Sequence, residues 1–253
     1  MVEIGLIGYP LEHSFSALYF DKKFRKEGIE GHYGLYPLRN ISEFPDFLER
    51  HPELAGFNVT IPYKEKIIPY LDSLDEDASR IGAVNTVKIV RDLANEGNVR
   101  LEGSNTDWIG FMKSAEPWLD GKTGKALILG TGGSSKAVAY ALDKSGIEYL
   151  FVTHRKGKTG GNVVHYSDLD EKLIKDHFLI VNTTPLGMYP ATDTYPDIPY
   201  RYMTKDHVCI DLVYNPEITR FMTLSKRYGA TVKNGMEMLR NQAEESFKIW
   251  MSR

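Results

Sequence analysis

Short apolar runs and amphipathic stretches alternate along the whole chain. Runs at Ile4–Gly8, His32–Leu38, Gly56–Ile61 and Val84–Val90 have the length and composition of strands. Between them, Ser16–Gly28, Ser42–His51 and Tyr63–Leu71 are spaced as helices. This alternation predicts βαβ units around a mostly parallel sheet. Arg91–Gly103 is polar and contains Asn95, Gly97 and Asn98, which predicts a hairpin turn. The composition breaks at Glu116–Lys125, around Pro117, Gly121 and Gly124. A new strand, Lys125–Leu129, then runs straight into Gly130-Thr131-Gly132-Gly133. Further strands are predicted at Tyr149–Thr153, Phe178–Asn182 and Val208–Val213. Met236, Leu239, Ala243, Phe247 and Trp250 recur at helical spacing and predict a terminal helix. The predicted class is α/β: an N-terminal α/β domain over residues 1–115, a Rossmann-like dinucleotide-binding domain over 116–234, and a terminal helix, 235–253, packing back on the first domain.

Composition narrows the function classes. A net charge of −3 on 253 residues provides no basic field for a phosphate backbone, so no nucleic-acid partner is expected. Cys209 is the only cysteine, which excludes an intrachain disulfide and a cysteine-built metal site. Within Val208-Cys209-Ile210 it reads as a small buried hydrophobe. No apolar run approaches the roughly 20 residues that cross a bilayer. The chain opens at once on strand-like Val2–Ile7, without a basic and apolar leader. A soluble, cytoplasmic protein without a membrane partner is therefore expected. The seven histidines form no H-x-x-x-H pair, and no metal is expected.

Gly130-Thr131-Gly132-Gly133-Ser134 lies between an apolar strand and a helix, where a phosphate-binding turn belongs. Glycines let backbone approach a pyrophosphate, and a helix start offers free N–H groups. The spacing departs from G-x-G-x-x-G: Ser135 and Lys136 stand where a third glycine falls, and Ala137 is small enough for close packing. A plain tight turn is the rival reading. The next strand ends in Thr153-His154-Arg155-Lys156. An acidic residue there would suit a free ribose 2′-hydroxyl, whereas arginine suits a 2′-phosphate, so NADP is the expected cofactor.

Four segments are more polar than their settings: Gly8–Ser16, Asn58–Lys64, Gly82–Thr86 and Asn105–Gly110. In α/β folds, ligands bind at the carboxyl ends of strands, where the first two belong. With the glycine turn, Asn182-Thr183-Thr184-Pro185-Leu186-Gly187-Met188, Asp211-Leu212-Val213-Tyr214, Gly235-Met236-Glu237-Met238-Leu239 and Gln242-Ala243, these segments resemble the shikimate dehydrogenase family over nearly the whole chain.

That resemblance implies an NADP-dependent oxidoreductase interconverting 3-dehydroshikimate and shikimate in aromatic amino acid biosynthesis, acting as a monomer or homodimer. The first domain would bind substrate and the second NADP. Ser14 and Ser16, with Tyr214, would hold the substrate carboxylate; Asn58, Thr60, Asn85, Asp107 and Gln242 would bind its ring hydroxyls. Lys64 and Asp107 would be the catalytic pair. Asn182, Thr183, Thr184, Met188, Val213 and Gly235 would line the cofactor cleft. A lysine can give or take the proton that accompanies hydride transfer, and a neighbouring carboxylate favours its charged form. Plainer readings stand beside these. Lys64 alone would be a surface lysine at a helix start. Ser14 or Ser16 serves equally as a helix cap, as does Asp107. Asn58, Thr60 and Asn85 suit strand ends. His13 is expected to be structural.

The chain departs from the family pattern in two places. Ala17 replaces a common proline, with Tyr19-Phe20 for a more polar pair, and His154-Arg155-Lys156 replaces the frequent N-R-T. The rivals are a quinate/shikimate dehydrogenase using NAD and a non-catalytic nucleotide-binding regulator.

Overall fold

The computed structural model of the chain describes residues 1–11, 14–91, 99–119, 121–122, 124–155, 157 and 159–252. His13, Asn95, Gly97, Asn98 and Lys156, all singled out in the sequence, lie outside the described residues. Packing divides the chain into two compact units: Met1–Thr106 with Gln242–Arg253, and Asp107–Asn241.

The first unit is built on strands β1 (Val2–Gly8), β2 (Gly31–Pro37), β3 (Leu54–Val59), β4 (Ser73–Leu74), β5 (Thr86–Arg91) and β6 (Val99–Ser104). They form one sheet in the order β2-β1-β3-β5-β6-β4. β1 runs parallel to β2 and to β3, and β5 runs antiparallel between β3 and β6. Helices α1 (Phe15–Glu27), α2 (Phe44–Arg50) and α3 (Glu76–Ile81) complete it. Successive β1 side chains point to opposite faces, as a pleated strand requires. Ile4 and Leu6 join Phe20, Phe24, Phe247 and Trp250, while Ile7 joins Phe44, Phe47 and Phe57.

Two stretches of this unit differ from the sequence reading. Tyr63–Leu71 forms turns and a short 3-10 segment, Ile68–Tyr70, instead of an α-helix. Pro69 has no N–H to give the Glu65 carbonyl. The Lys64 carbonyl, which a helix would use internally, accepts from Val84 N at 2.7 Å. The polar segment expected to be a turn contains strand β6, with Arg91 opposite Val99 and Ile89 opposite Leu101. Turn-forming residues upstream masked the apolar alternation of Val99 and Leu101.

The second unit carries β7 (Lys125–Leu129), β8 (Glu148–Thr153), β9 (Val163–His165), β10 (Leu179–Asn182), β11 (Val208–Asp211) and β12 (Thr231–Lys233). Every pairing is parallel, and the order is β12-β11-β10-β7-β8-β9. The chain winds outward from β7 in both directions, so the strand order reverses between β7 and β10, the crevice where doubly wound sheets bind ligands. Its helices are α4 (Asp107–Leu119), α5 (Gly133–Lys144), α6 (Glu171–Asp176) and α7 (Arg220–Arg227). α4 belongs to this unit because Phe111, Ala115 and Leu119 pack with Ala126, Val138 and Leu142. The composition break at Glu116–Lys125 therefore falls inside the unit, from the last turn of α4 to the start of β7. Cys209 is fully buried on β11, and burial pushes its thiol up to about 12.

The last helix, α8 (Met236–Met251), contains the division between units, which falls after Asn241. Its Ala243, Phe247 and Trp250 belong to the first unit's core. Trp250 Nε1 donates to the Val87 carbonyl at 2.9 Å. Gly56 makes room for that indole: a Cβ there would lie 2.4 Å from Trp250 Cδ1. No helix among the described residues is long and apolar enough to cross a membrane.

Candidate active site

In the first unit, the carboxyl ends of β1 and β3 are locked together. Thr60 N donates to the Ile7 carbonyl at 2.9 Å, and Tyr9 N to the Ile61 carbonyl at 3.0 Å. A Cβ on Gly8 would lie 2.4 Å from Thr60 Cγ2, so the β1 turn and Thr60 come together only because residue 8 is glycine. Ser14 is the cap of α1: its Oγ accepts from Ser16 N at 3.3 Å. The capping role is thus real, and it holds two half-buried serines beside the β1 end.

Three further candidates meet in a buried array. Asn58 Nδ2 donates to the Asn85 carbonyl at 3.0 Å, and Asn85 Nδ2 to Gln242 Oε1 at 3.1 Å. Tyr33 OH donates to Asn58 Oδ1 at 2.8 Å, and Thr106 N to Asn85 Oδ1 at 2.7 Å. The hub is Ser246, fully buried one helical turn beyond Gln242 on α8. Its Oγ lies 3.0 Å from Asn58 Nδ2, 2.7 Å from Thr86 Oγ1 and 3.0 Å from Thr106 Oγ1, and donates to the Gln242 carbonyl at 2.9 Å. Buried amides cannot turn over freely when every partner is fixed, so the array sets which way Asn85 and Gln242 face.

Lys64 lies in the turns after β3, half-buried. The Val84 N–H on its carbonyl anchors it one residue from Asn85. Asp107, the other catalytic candidate, opens α4 and is buried. It is bonded through the chain to Thr106, a member of the array. Lys64 belongs to the first unit and Asp107 to the second.

In the second unit, the glycine turn sits at the end of the central strand β7. Gly130 has φ +118°, outside what side chains favour, and a Cβ there would meet Thr183 Oγ1 at 2.7 Å. Thr183 Oγ1 donates to the Leu129 carbonyl at 2.7 Å and lies 2.6 Å from Ser135 Oγ, which accepts from Gly132 N at 3.1 Å. Gly132 is the cap of the 12-residue α5 and has open space where a side chain would stand. Thr131, Gly133 and Ser134 are half-buried around it. A glycine cap without a side-chain acceptor leaves the helix start able to receive an anion. At the end of β8, His154 and Arg155 are exposed, and the sequence from 153 to 158 contains no acidic residue. The His154 ring lies flat on Tyr166, 3.8 Å between centroids and 6° between planes. These residues fit a dinucleotide with a 2′-phosphate.

The remaining cofactor candidates cluster at the ends of β10 and β11. A Cβ on Gly235 would lie 2.1 Å from the Leu212 carbonyl oxygen, and Gly235 N donates to the Val213 carbonyl at 3.1 Å. Asn182 Oδ1 accepts from Thr184 N at 3.1 Å and Thr184 Oγ1 at 2.6 Å. Met188 is exposed in the following turn, and Tyr214 is half-buried after β11. Asp211, given no role from the sequence, is fully buried here, and burial pushes its carboxyl up to about 6 against three hydrogen bonds that favour the carboxylate. Thr86, Thr106, Ser246 and Asp211 were missed. Three lie inside the motifs quoted for the resemblance, and Ser246 follows Gln242 at the i+4 spacing of one helix face. Among the described residues, no group of three or more His, Cys, Asp or Glu side chains is placed to hold a metal ion.

Residues 6–87 match the family model for the shikimate dehydrogenase substrate binding domain. The shikimate dehydrogenase (NADP(+)) of Halothermothrix orenii is 38% identical, over 98% of this chain and 90% of its own. The crystal structure of shikimate dehydrogenase from Aquifex aeolicus superimposes with a TM-score of 0.85 and 35% identity, covering 99% of this chain and 92% of that one. The Thermus thermophilus enzyme, solved in complex with NADP(H) and shikimate, gives 0.84 and 30%, covering 99% and 94%.

Proposed function

Because the chain belongs to the shikimate dehydrogenase family, we infer that it catalyses the reversible NADP-dependent interconversion of 3-dehydroshikimate and shikimate, a step of aromatic amino acid biosynthesis. The observation that carries this reading is the bonded set Asn58, Asn85 and Gln242 at the strand ends of the first unit. A small polyhydroxy acid needs several fixed amide and hydroxyl partners at once, and this array provides them in fixed orientations. Ser14 and Ser16 take the carboxylate with Tyr214, while Thr60 and Asp107 add contacts to the ring hydroxyls. The first unit is then the substrate domain and the second the NADP domain.

Lys64 Nζ gives a proton to the carbonyl oxygen as hydride adds to the same carbon, and takes it back in the oxidative direction. Asp107 is the second member of the catalytic pair. Gly130–Ser134 hold the pyrophosphate, Arg155 and His154 the 2′-phosphate, and Asn182, Thr183, Thr184, Met188, Val213 and Gly235 the nicotinamide half. Bound NADP supplies the hydride acceptor or donor.

The test is steady-state turnover of shikimate and quinate with NADP and with NAD, followed as reduced cofactor. Turnover is expected to be fastest with shikimate and NADP. Faster turnover of quinate, or a preference for NAD, replaces this substrate or cofactor assignment, and no turnover of either acid leaves a nucleotide-binding regulator.

A further inference from the structure

Asp211 ends β11 with its carboxylate fully buried, and its partners are all hydrogen-bond donors. Oδ1 accepts from Asn182 Nδ2 at 2.9 Å and from Val213 N at 3.0 Å; Oδ2 accepts from Thr219 Oγ1 at 2.6 Å. An ionised carboxylate only accepts. Asn182 turns its NH2 side toward Asp211 and, at 3.4 Å, the Leu186 carbonyl, which leaves Oδ1 for Thr184 N and Thr184 Oγ1. That closes a side-chain turn over residues 182–184 at the end of β10. Thr183, inside the turn, is bonded to the Leu129 carbonyl and stands 2.6 Å from Ser135 Oγ beside the glycine turn. The links run across three neighbouring strands, β11, β10 and β7, all at their carboxyl ends.

We propose that Asp211 is a positioning residue for the cofactor: its buried carboxylate holds the Asn182 amide by a charge-assisted hydrogen bond and thereby steadies the turn that receives the nicotinamide half of NADP. The inference rests on the NADP reading above and deepens it. An acid is needed for this role because its charged oxygen grips Asn182 harder than a neutral one: an amide at 211 would keep its oxygen on Val213 N and Asn182 Nδ2, but without the charge that strengthens the bond. Burial works against the carboxylate, so the acid is kept here at the expense of stability. Thr219 touches the other oxygen and caps α7 through Met222 N at 3.2 Å, so its hydroxyl serves the fold and leaves the Asn182 contact alone.

The experiment compares Asp211→Asn and Thr219→Val with the parent, by NADPH fluorescence titration, shikimate kinetics and thermal unfolding at pH 8. For Asp211→Asn, the NADPH Kd is expected to rise about fivefold to tenfold, the worth of the charge lost from one hydrogen bond. The shikimate KM should stay within about twofold, and the Tm should be equal to the parent's or higher. Thr219→Val is expected to do the reverse, lowering the Tm by several degrees and keeping the NADPH Kd. An Asp211→Asn variant that is less stable, fails to fold or binds NADPH as the parent does overturns the proposal, as does a Thr219→Val variant with the same loss of NADPH affinity. A parent that does not bind NADPH overturns the cofactor reading as well.

Discussion

Replacing Ser246 by alanine isolates the buried array from the rest of the substrate site. The hydroxyl has one hydrogen and two lone pairs. Its partners are the Gln242 carbonyl, Asn58 Nδ2, Thr86 Oγ1 and Thr106 Oγ1. Each retains a partner once the hydroxyl is gone: Asn58 Nδ2 keeps the Asn85 carbonyl, Thr86 keeps Asn85 Oδ1, and Thr106 Oγ1 keeps Asn85 Nδ2. The Gln242 carbonyl, within α8, keeps the helix ladder. The loss is therefore two or three net hydrogen bonds without an orphaned group, or about 2 kcal/mol. For a chain of this length that corresponds to a fall in Tm of about 4–8 °C. Loosening Gln242 should also raise the shikimate KM about threefold to tenfold, with the NADPH Kd unchanged. The assays are thermal unfolding and steady-state kinetics with each ligand varied in turn. A variant as stable as the parent, or one that loses shikimate and NADPH affinity equally, would refute the reasoning that Ser246 orients Gln242.

Three other outcomes follow from the same geometry. Arg155→Ala is expected to raise the KM for NADP about tenfold or more and leave that for NAD nearly unchanged, because one charge-assisted contact to the 2′-phosphate is removed; equal effects in kinetics with both cofactors would count against the clamp. Gly235→Ala drives a methyl group into the Leu212 carbonyl, so urea unfolding should show a loss of about 2 kcal/mol or more together with weaker NADPH binding. The stability of Asp211→Asn relative to the parent should depend on pH. The native carboxyl, near 6, lies above its ordinary 3.8, so ionisation destabilises the fold, starting above about pH 4 and fully expressed above about 6. The variant's advantage, at most about 3 kcal/mol from that difference, should appear above pH 6 and vanish below 4 in unfolding curves; an advantage greatest at low pH would contradict the assignment.

What could be read from the sequence follows from how local each cause is. The glycine turn after Lys125–Leu129 and the terminal helix are written in short-range patterns, and the structure has both. The three-residue edge strands β9 and β12 are too short to carry a period. Tyr63–Leu71 misled because its outcome depends on a long-range bond, Val84 N to the Lys64 carbonyl, as much as on Pro69. At the site, amides such as Asn58 and Asn85 stand out where strands end. Ser246 does not, since a serine on a helix reads as surface until its neighbours are in place. Asp211 likewise reads as a strand-end acid, and only its burial among donors reveals the constraint it exerts on Asn182.

The account as a whole turns on Lys64 as the proton carrier at the substrate oxygen whose carbon exchanges hydride with NADP. The direct measurement is NADPH formation from shikimate by the parent and by Lys64→Ala, alongside NADPH titration of each. The expected result is a fall in kcat of about a hundredfold to ten-thousandfold with the NADPH Kd unchanged. Turnover preserved in Lys64→Ala would contradict it.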